Sequence, residues 1–297
     1  MKKSTIIVAI VAMLIATGGI TAGTYVNDRM MEKAAKKMAS DEMKDEDMEK
    51  EDEYSLQFLS GIQYQPGQPV ALEFTVVDKN GHRLRQDDYK ITHEKRMHVI
   101  VASSDLAQFQ HVHPVFDTGT STYKLPGFVF PTAGHYRIFT DFEVAAHGDG
   151  SEAMDMAKHA GVQYQDVLVG NPADYRPQAL GPATTADNVD GNTVDLKISN
   201  AKDGHAKTEK RLDFTLTRDG KKVIDLQKYL GALGHLVILR EGDLEYLHTH
   251  ALTQDTNHQT GTVSFEADFK QPGNYKAFAQ FQRDGQVMTT EFVINVE

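Results

Sequence analysis

Residues Met97–Pro114 read MHVIVASSDLAQFQHVHP, and residues Gly234–Ala251 read GHLVILREGDLEYLHTHA. Both run apolar, break at turn-forming polar residues, and run apolar again to a closing His-x-His. Two short strands rich in Val, Ile, Leu and aromatic residues around such a break are a β-hairpin signal. In the second phrase the turn is expected at Glu241-Gly242, which sets His235 across from His248; in the first it is expected near Ser104-Asp105, which sets His98 across from His111. Side chains alternate along a strand, so His111 and His113 share a face, as do His248 and His250. A directly paired residue joins that face with Cβ atoms about 4.5–5.5 Å apart, and a diagonal neighbour lies about 7–8 Å away. Three imidazoles are therefore expected to converge in each copy: His98, His111 and His113, and again His235, His248 and His250.

The duplication extends beyond the histidines. LEFTVVDKNG (Leu72–Gly81) matches LDFTLTRDG (Leu212–Gly220), and FVFPTAGHYRIFTDFE (Phe128–Glu143) matches ADFKQPGNYKAFAQFQ (Ala267–Gln282). Equivalent blocks keep their order and spacing, which is the mark of a tandem repeat. Short alternating segments between turn signals such as Lys79-Asn80-Gly81 and Pro272-Gly273 read as strands of a sandwich. The expectation is an all-β chain of two tandem immunoglobulin-like or cupredoxin-like β-sandwiches, residues 54–170 and 192–297. A Pro- and Gly-containing linker at residues 171–191 joins them.

Composition narrows the function classes. The chain has 297 residues and a formal net charge of −11, from 31 basic and 42 acidic residues. That balance argues against nucleic acid as a partner. Nine acids and two lysines lie between Asp41 and Glu53, so the remainder is closer to neutral. Without cysteine there are no disulfides, thiolate metal sites or cysteine nucleophiles. No P-loop, nucleophile elbow or dinucleotide fingerprint follows a suitable strand. Gly242-x5-His248-x-His250 opens like a cupin motif, but the second cupin motif is missing around Pro272-Gly273. An enzyme is not expected.

At the N-terminus, Lys2 and Lys3 precede an uncharged run from Ser4 to Asn27. A positive flank followed by ~20 apolar residues reads as an export signal or membrane anchor. Residues 1–27 are taken as an uncleaved transmembrane anchor with an extracytoplasmic body; the alternative is a cleaved signal peptide and a secreted or periplasmic protein. Residues 28–53 read as a charged helical spacer.

Three neutral imidazoles on a rigid sheet suit Cu(II) or Zn(II) and leave a coordination position open. A weaker candidate is the loop cluster His147, Met154, Met156 and His159, whose mixed donors would suit copper in both oxidation states. His93 and His135 have no counterparts in the second copy and read as peripheral. The alternative reading keeps the histidines structural, hydrogen-bonded to carbonyls in a non-catalytic adhesion or scaffolding module.

In YLGALGHLVILREGDLEYLHTH and MHVIVASSDLAQFQHVHP the chain resembles bacterial exported proteins with FixH-like or YtkA-like β-sandwich domains, often described as heavy-metal-binding or copper-associated. The resemblance covers residues 54–297 and implies an immunoglobulin-like sandwich outside the cytoplasm with a link to copper handling. It makes the six phrase histidines the metal-site candidates. Gly234 stands where the first copy has Met97; a methionine pointing into the site would give the copies different metal preferences. The sequence thus leads to a membrane-anchored, extracytoplasmic protein that binds or hands over copper, with zinc as the alternative ion. The membrane and the metal ion are the partners it names, and it does not say whether a protein partner exists.

Overall fold

A strand that is apolar at every position is buried on both faces, and this is the state of the first run in each quoted phrase. His98–Ser103 is buried throughout, and so are the four central residues of His235–Arg240. The computed structural model describes residues 54–61, 63–145, 160–201, 208–247, 249–252 and 260–297. The candidate anchor (1–27), the spacer up to residue 53, His248, and the His147/Met154/Met156/His159 loop lie outside the described residues. Among the described residues no helix is long and apolar enough to cross a membrane.

The first repeat contains β1 (Tyr54–Phe58), β2 (Gln63–Tyr64), β3 (Pro69–Asp78), β4 (His98–Ser103), β5 (Phe109–Val112), β6 (Val115–Asp117), β7 (Thr122–Val129), β8 (Gly134–Glu143) and β9 (Ala160–Val169). They form two sheets, ordered β1-β3-β7-β6 and β2-β9-β8-β4-β5. The second repeat contains β10 (Ala186–Val189), β11 (Asn192–Asn200), β12 (Glu209–Arg218), β13 (Lys221–Lys222), β14 (His235–Arg240), β15 (Tyr246–Leu247), β16 (His250–Ala251), β17 (Thr262–Asp268), β18 (Gly273–Arg283) and β19 (Gln286–Val296). Its sheets run β10-β11-β12-β17-β16, with β13 on β12, and β15-β14-β18-β19. The fold is two tandem β-sandwiches.

Alternation assigns the faces. In the first repeat Leu72, Phe74, Val76, Val99, Val101 and Ile138 fill the space between its sheets. In the second, Leu212, Phe214, Leu216, Leu236, Ile238 and Phe281 do the same. Each sandwich also carries a tyrosine whose hydroxyl donates to the carbonyl four residues upstream: Tyr136 to Thr132 at 3.1 Å and Tyr275 to Gln271 at 2.6 Å. Such tyrosine corners pin the turn entering a strand in Greek-key sandwiches. The strands they open begin at Gly134 and Gly273, at φ of 146° and 141°, backbone that residues with a Cβ rarely adopt.

The outward faces of β4 and β14 are covered by each other's repeat. Ile100, Ala102, Leu106 and Phe139 pack with Val237, Leu239, Leu244 and Phe278 in a third apolar cluster. The contacts obey a pseudo-twofold rule. Phe109 stacks on Phe278 with centroids 4.1 Å apart, and the equivalent Tyr246 meets Phe139 at 5.4 Å. Lys276 donates to the Leu106 carbonyl at 2.9 Å, and Arg137 donates to the Asp243 carbonyl at 2.8 Å. The stretch 171–191 is tied down at both ends. The Gln178 amide donates to Asp105 at 2.9 Å, Thr184 bonds β19 at Val293, and β10 starts at Ala186 within it.

Candidate metal centre

His98 opens β4, His111 lies on β5, and His113 follows one residue after β5 ends. The β4–β5 ladder pairs Ile100 with His111 and Val99 with Val112. This corrects the expected pairing of His98 with His111: the register places His98 across from His113, two residues along, with His111 on the diagonal. The cause is the loop. Ser103 N donates to the Gln108 carbonyl at 3.0 Å, and Leu106 takes φ 58°, so the turn centres on Asp105-Leu106 rather than Ser104-Asp105. Asp105 Oδ1 fixes it by accepting from Ser103 Oγ at 2.6 Å and Ala107 N at 3.2 Å. The second copy shifts identically. Ile238 pairs with Leu247 and Leu239 with Tyr246, so the turn is centred at Gly242-Asp243 and Leu244 takes φ 58°. A shift of two residues keeps every side chain on its face, so His98, His111 and His113 of the first copy still converge.

His98 Nδ1 lies 3.2 Å from His111 Nε2 and 3.1 Å from His113 Nε2. One ring nitrogen from each of the three lies within 4.8 Å of the others. Ligands about 2.0–2.1 Å from a tetrahedral ion sit about 3.4 Å apart, so the spacing fits a shared ion after a small closure.

The outer nitrogens decide the tautomers. His98 Nε2 donates to the Thr92 carbonyl at 3.1 Å, which leaves Nδ1 as a lone pair. His111 Nδ1 donates to Gln280 Oε1 at 2.7 Å, which leaves Nε2 as a lone pair. Two lone pairs thus face each other at 3.2 Å. A proton on His113 Nε2 can satisfy only one of them; a cation satisfies both. Burial depresses all three pKa values, to about 4 for His111 and about 3 for His113. The rings are neutral at pH 7 and need release no proton to bind a metal.

Met97 does not join them. Its side chain is 2% exposed within the first repeat's core, so it gives the copies no difference in ligand set. Gly234 has no room for a side chain, since a Cβ there would stand 2.9 Å from the Phe281 ring.

In the second copy His235 repeats the posture of His98. Its Nε2 donates to the Tyr229 carbonyl at 2.7 Å, and burial lowers its pKa to about 4. His250 is placed by its backbone on β16, paired with Glu266. The sequence sets His93 aside as peripheral and does not single out Asp141 or Gln280, yet all three lie at the site. The His93 ring lies 6.1 Å from His98 and 5.2 Å from His235. With His98, His111, Asp141 and His235 it lines a cavity of about 60 Å³ between the repeats. Asp141 and Gln280 occupy equivalent places, paired with His98 and His235 across their ladders.

A family model described as "Domain of unknown function (DUF8832)" matches residues 49–152 and 187–297. No curated protein matches the chain. Among solved structures, a DUF4426 family protein from Pseudomonas aeruginosa PAO1 is 9% identical with a TM-score of 0.29, over 38% of this chain and 96% of that one. The native conformation of E. coli alpha-2-macroglobulin is 12% identical with a TM-score of 0.27, over 82% of this chain and 14% of that one. A marsupial T cell receptor is 8% identical with a TM-score of 0.24, over 80% of this chain and 63% of that one.

Proposed function

The chain belongs to the DUF8832 family, and for this member we propose a metal-binding role outside the cytoplasm, with His98, His111 and His113 as ligands of a divalent ion. The observation that carries it is the pair of lone pairs facing each other at 3.2 Å, each fixed by the hydrogen bond on the opposite side of its ring. Structural histidines would also have carbonyl partners. They would not need a second, convergent set of nitrogens aimed at one point.

Three imidazoles without thiolate or thioether suit Cu(II) or Zn(II), and the Irving–Williams order favours Cu(II). Copper is therefore the proposed ion and zinc the alternative, with His235, His248 and His250 proposed as the matching site of the second repeat. The apolar run at residues 4–27 supports a membrane-anchored location for this function.

Titration of the compact unit Glu53–Glu297 tests the reading. The parent is expected to bind Cu(II) more tightly than Zn(II). The His111→Ala variant is expected to lose one tight equivalent, with weakening beyond the roughly 100-fold that loss of an outer partner costs. Equal uptake by parent and variant would refute the site.

A further inference from the structure

The first repeat's centre is not built by the first repeat alone. His111 reaches across the inter-repeat face to Gln280 on β18, 2.7 Å from its Nδ1. Gln280 is 7% exposed and shares its strand face with Phe278, which stacks on Phe109 of the first repeat. Its amide nitrogen donates to Thr289 Oγ1 at 3.1 Å, so the amide oxygen is the end that meets the imidazole. The chain of bonds therefore runs from Thr289 through Gln280 to His111 Nδ1, and it ends in a lone pair on His111 Nε2 inside the triad.

We propose that Gln280 is a positioning residue for the first repeat's metal site, so that ion binding in one sandwich depends on the docking of the other. The inference rests on the metal-binding reading of the triad. An imidazole ligates through the nitrogen that carries no proton, and the partner of the opposite nitrogen sets tautomer and ring angle. Without an acceptor at Gln280, the His111 ring is free to put its proton on Nε2 and to rotate. By linkage, whatever docking does for the ion, the ion does for docking.

The reverse contact supports this division of labour. The residue equivalent to Gln280 is Asp141, and it accepts from the second repeat's Tyr246 hydroxyl at 3.2 Å. Each sandwich thus offers an acceptor to the other from the same ladder position, an amide in one direction and a carboxylate in the other.

The test compares Gln280→Leu and Gln280→Glu in the full chain carrying His248→Ala and His250→Ala, so that only the first repeat's site is read. Zn(II) affinity is read by chelator competition, Co(II) absorption reports the ligand field, and thermal unfolding without metal serves as the fold control. Gln280→Leu is expected to bind Zn(II) about 10–100-fold more weakly and to change the Co(II) spectrum. Gln280→Glu, which restores an acceptor, is expected to recover the affinity. Should the leucine variant not fold, Thr289→Val removes the hydroxyl that orients the amide and is expected to weaken binding several-fold. Parent-like affinity and spectrum in a folded Gln280→Leu or Thr289→Val, beside a clear loss in His111→Ala, would overturn the inference and leave the triad standing. Loss of stability in both Gln280 variants with affinity unchanged would also overturn it. Failure of the parent itself to bind would remove the metal reading, and the inference with it.

Discussion

Phe278→Ala is expected to destabilise the folded unit by about 3–5 kcal/mol. The ring is 1% exposed, stacks on Phe109 with planes only 7° apart, and sits in the cluster shared by both sandwiches. Its loss opens a cavity in the cluster where Ile100, Leu106 and Phe139 of one sandwich meet Val237, Leu239 and Leu244 of the other. Chemical denaturation measures the effect. A second readout separates docking from stability. Phe278→Ala is expected to weaken Zn(II) binding in the first repeat, because it loosens the strand face that presents Gln280. Phe292→Ala, a truncation inside the second repeat's own core, is expected to lower stability by a similar amount with less effect on that site. A Phe278→Ala cost below about 1 kcal/mol would contradict a shared apolar face.

Acid sensitivity of the ion-free chain is the second large effect. Burial, before any other cause, lowers the pKa of His98 and holds His111 and His235 at about 4 and His113 at about 3. In the unfolded chain each returns to about 6.5. Between those limits the unfolded state binds protons that the folded state refuses, so stability rises with pH. The contribution is complete above about pH 6.5 and is lost as pH falls from there through the folded values. The slope is at most about 1.4 kcal/mol per pH unit for each histidine. Denaturation midpoints at pH 7 and pH 5 check this, in a window above most carboxylate titration. A bound ion competes with the protons and is expected to extend stability to lower pH. Midpoints that do not change between pH 7 and pH 5 in the ion-free chain would contradict four rings held neutral by desolvation.

Much of this architecture was legible in the two quoted phrases. Their apolar runs became β4 and β14, and the first triad converged. The register was not legible. It depends on Leu106 and Leu244 entering the left-handed region, where glycine is the usual signal. Gly242 drew the second turn one position too early for the same reason. The packing of sandwich on sandwich was also hidden. Ile100 and Val237 look like core residues in sequence, and nothing in a period of two says which side of a doubly buried strand faces a second domain. Gln280 and Asp141 were invisible because each touches the other repeat, more than 100 residues away along the chain. His93 carried no repeat signal, since Leu230 stands in its place.

The central claim is that three imidazoles of the first repeat bind one ion. X-ray absorption on the Zn(II)-loaded chain carrying His248→Ala and His250→Ala isolates that site. The expected result is one tightly held ion with three imidazole nitrogens at about 2.0–2.1 Å and a light fourth ligand. An ion surrounded by oxygen alone, or by a single imidazole, would contradict it.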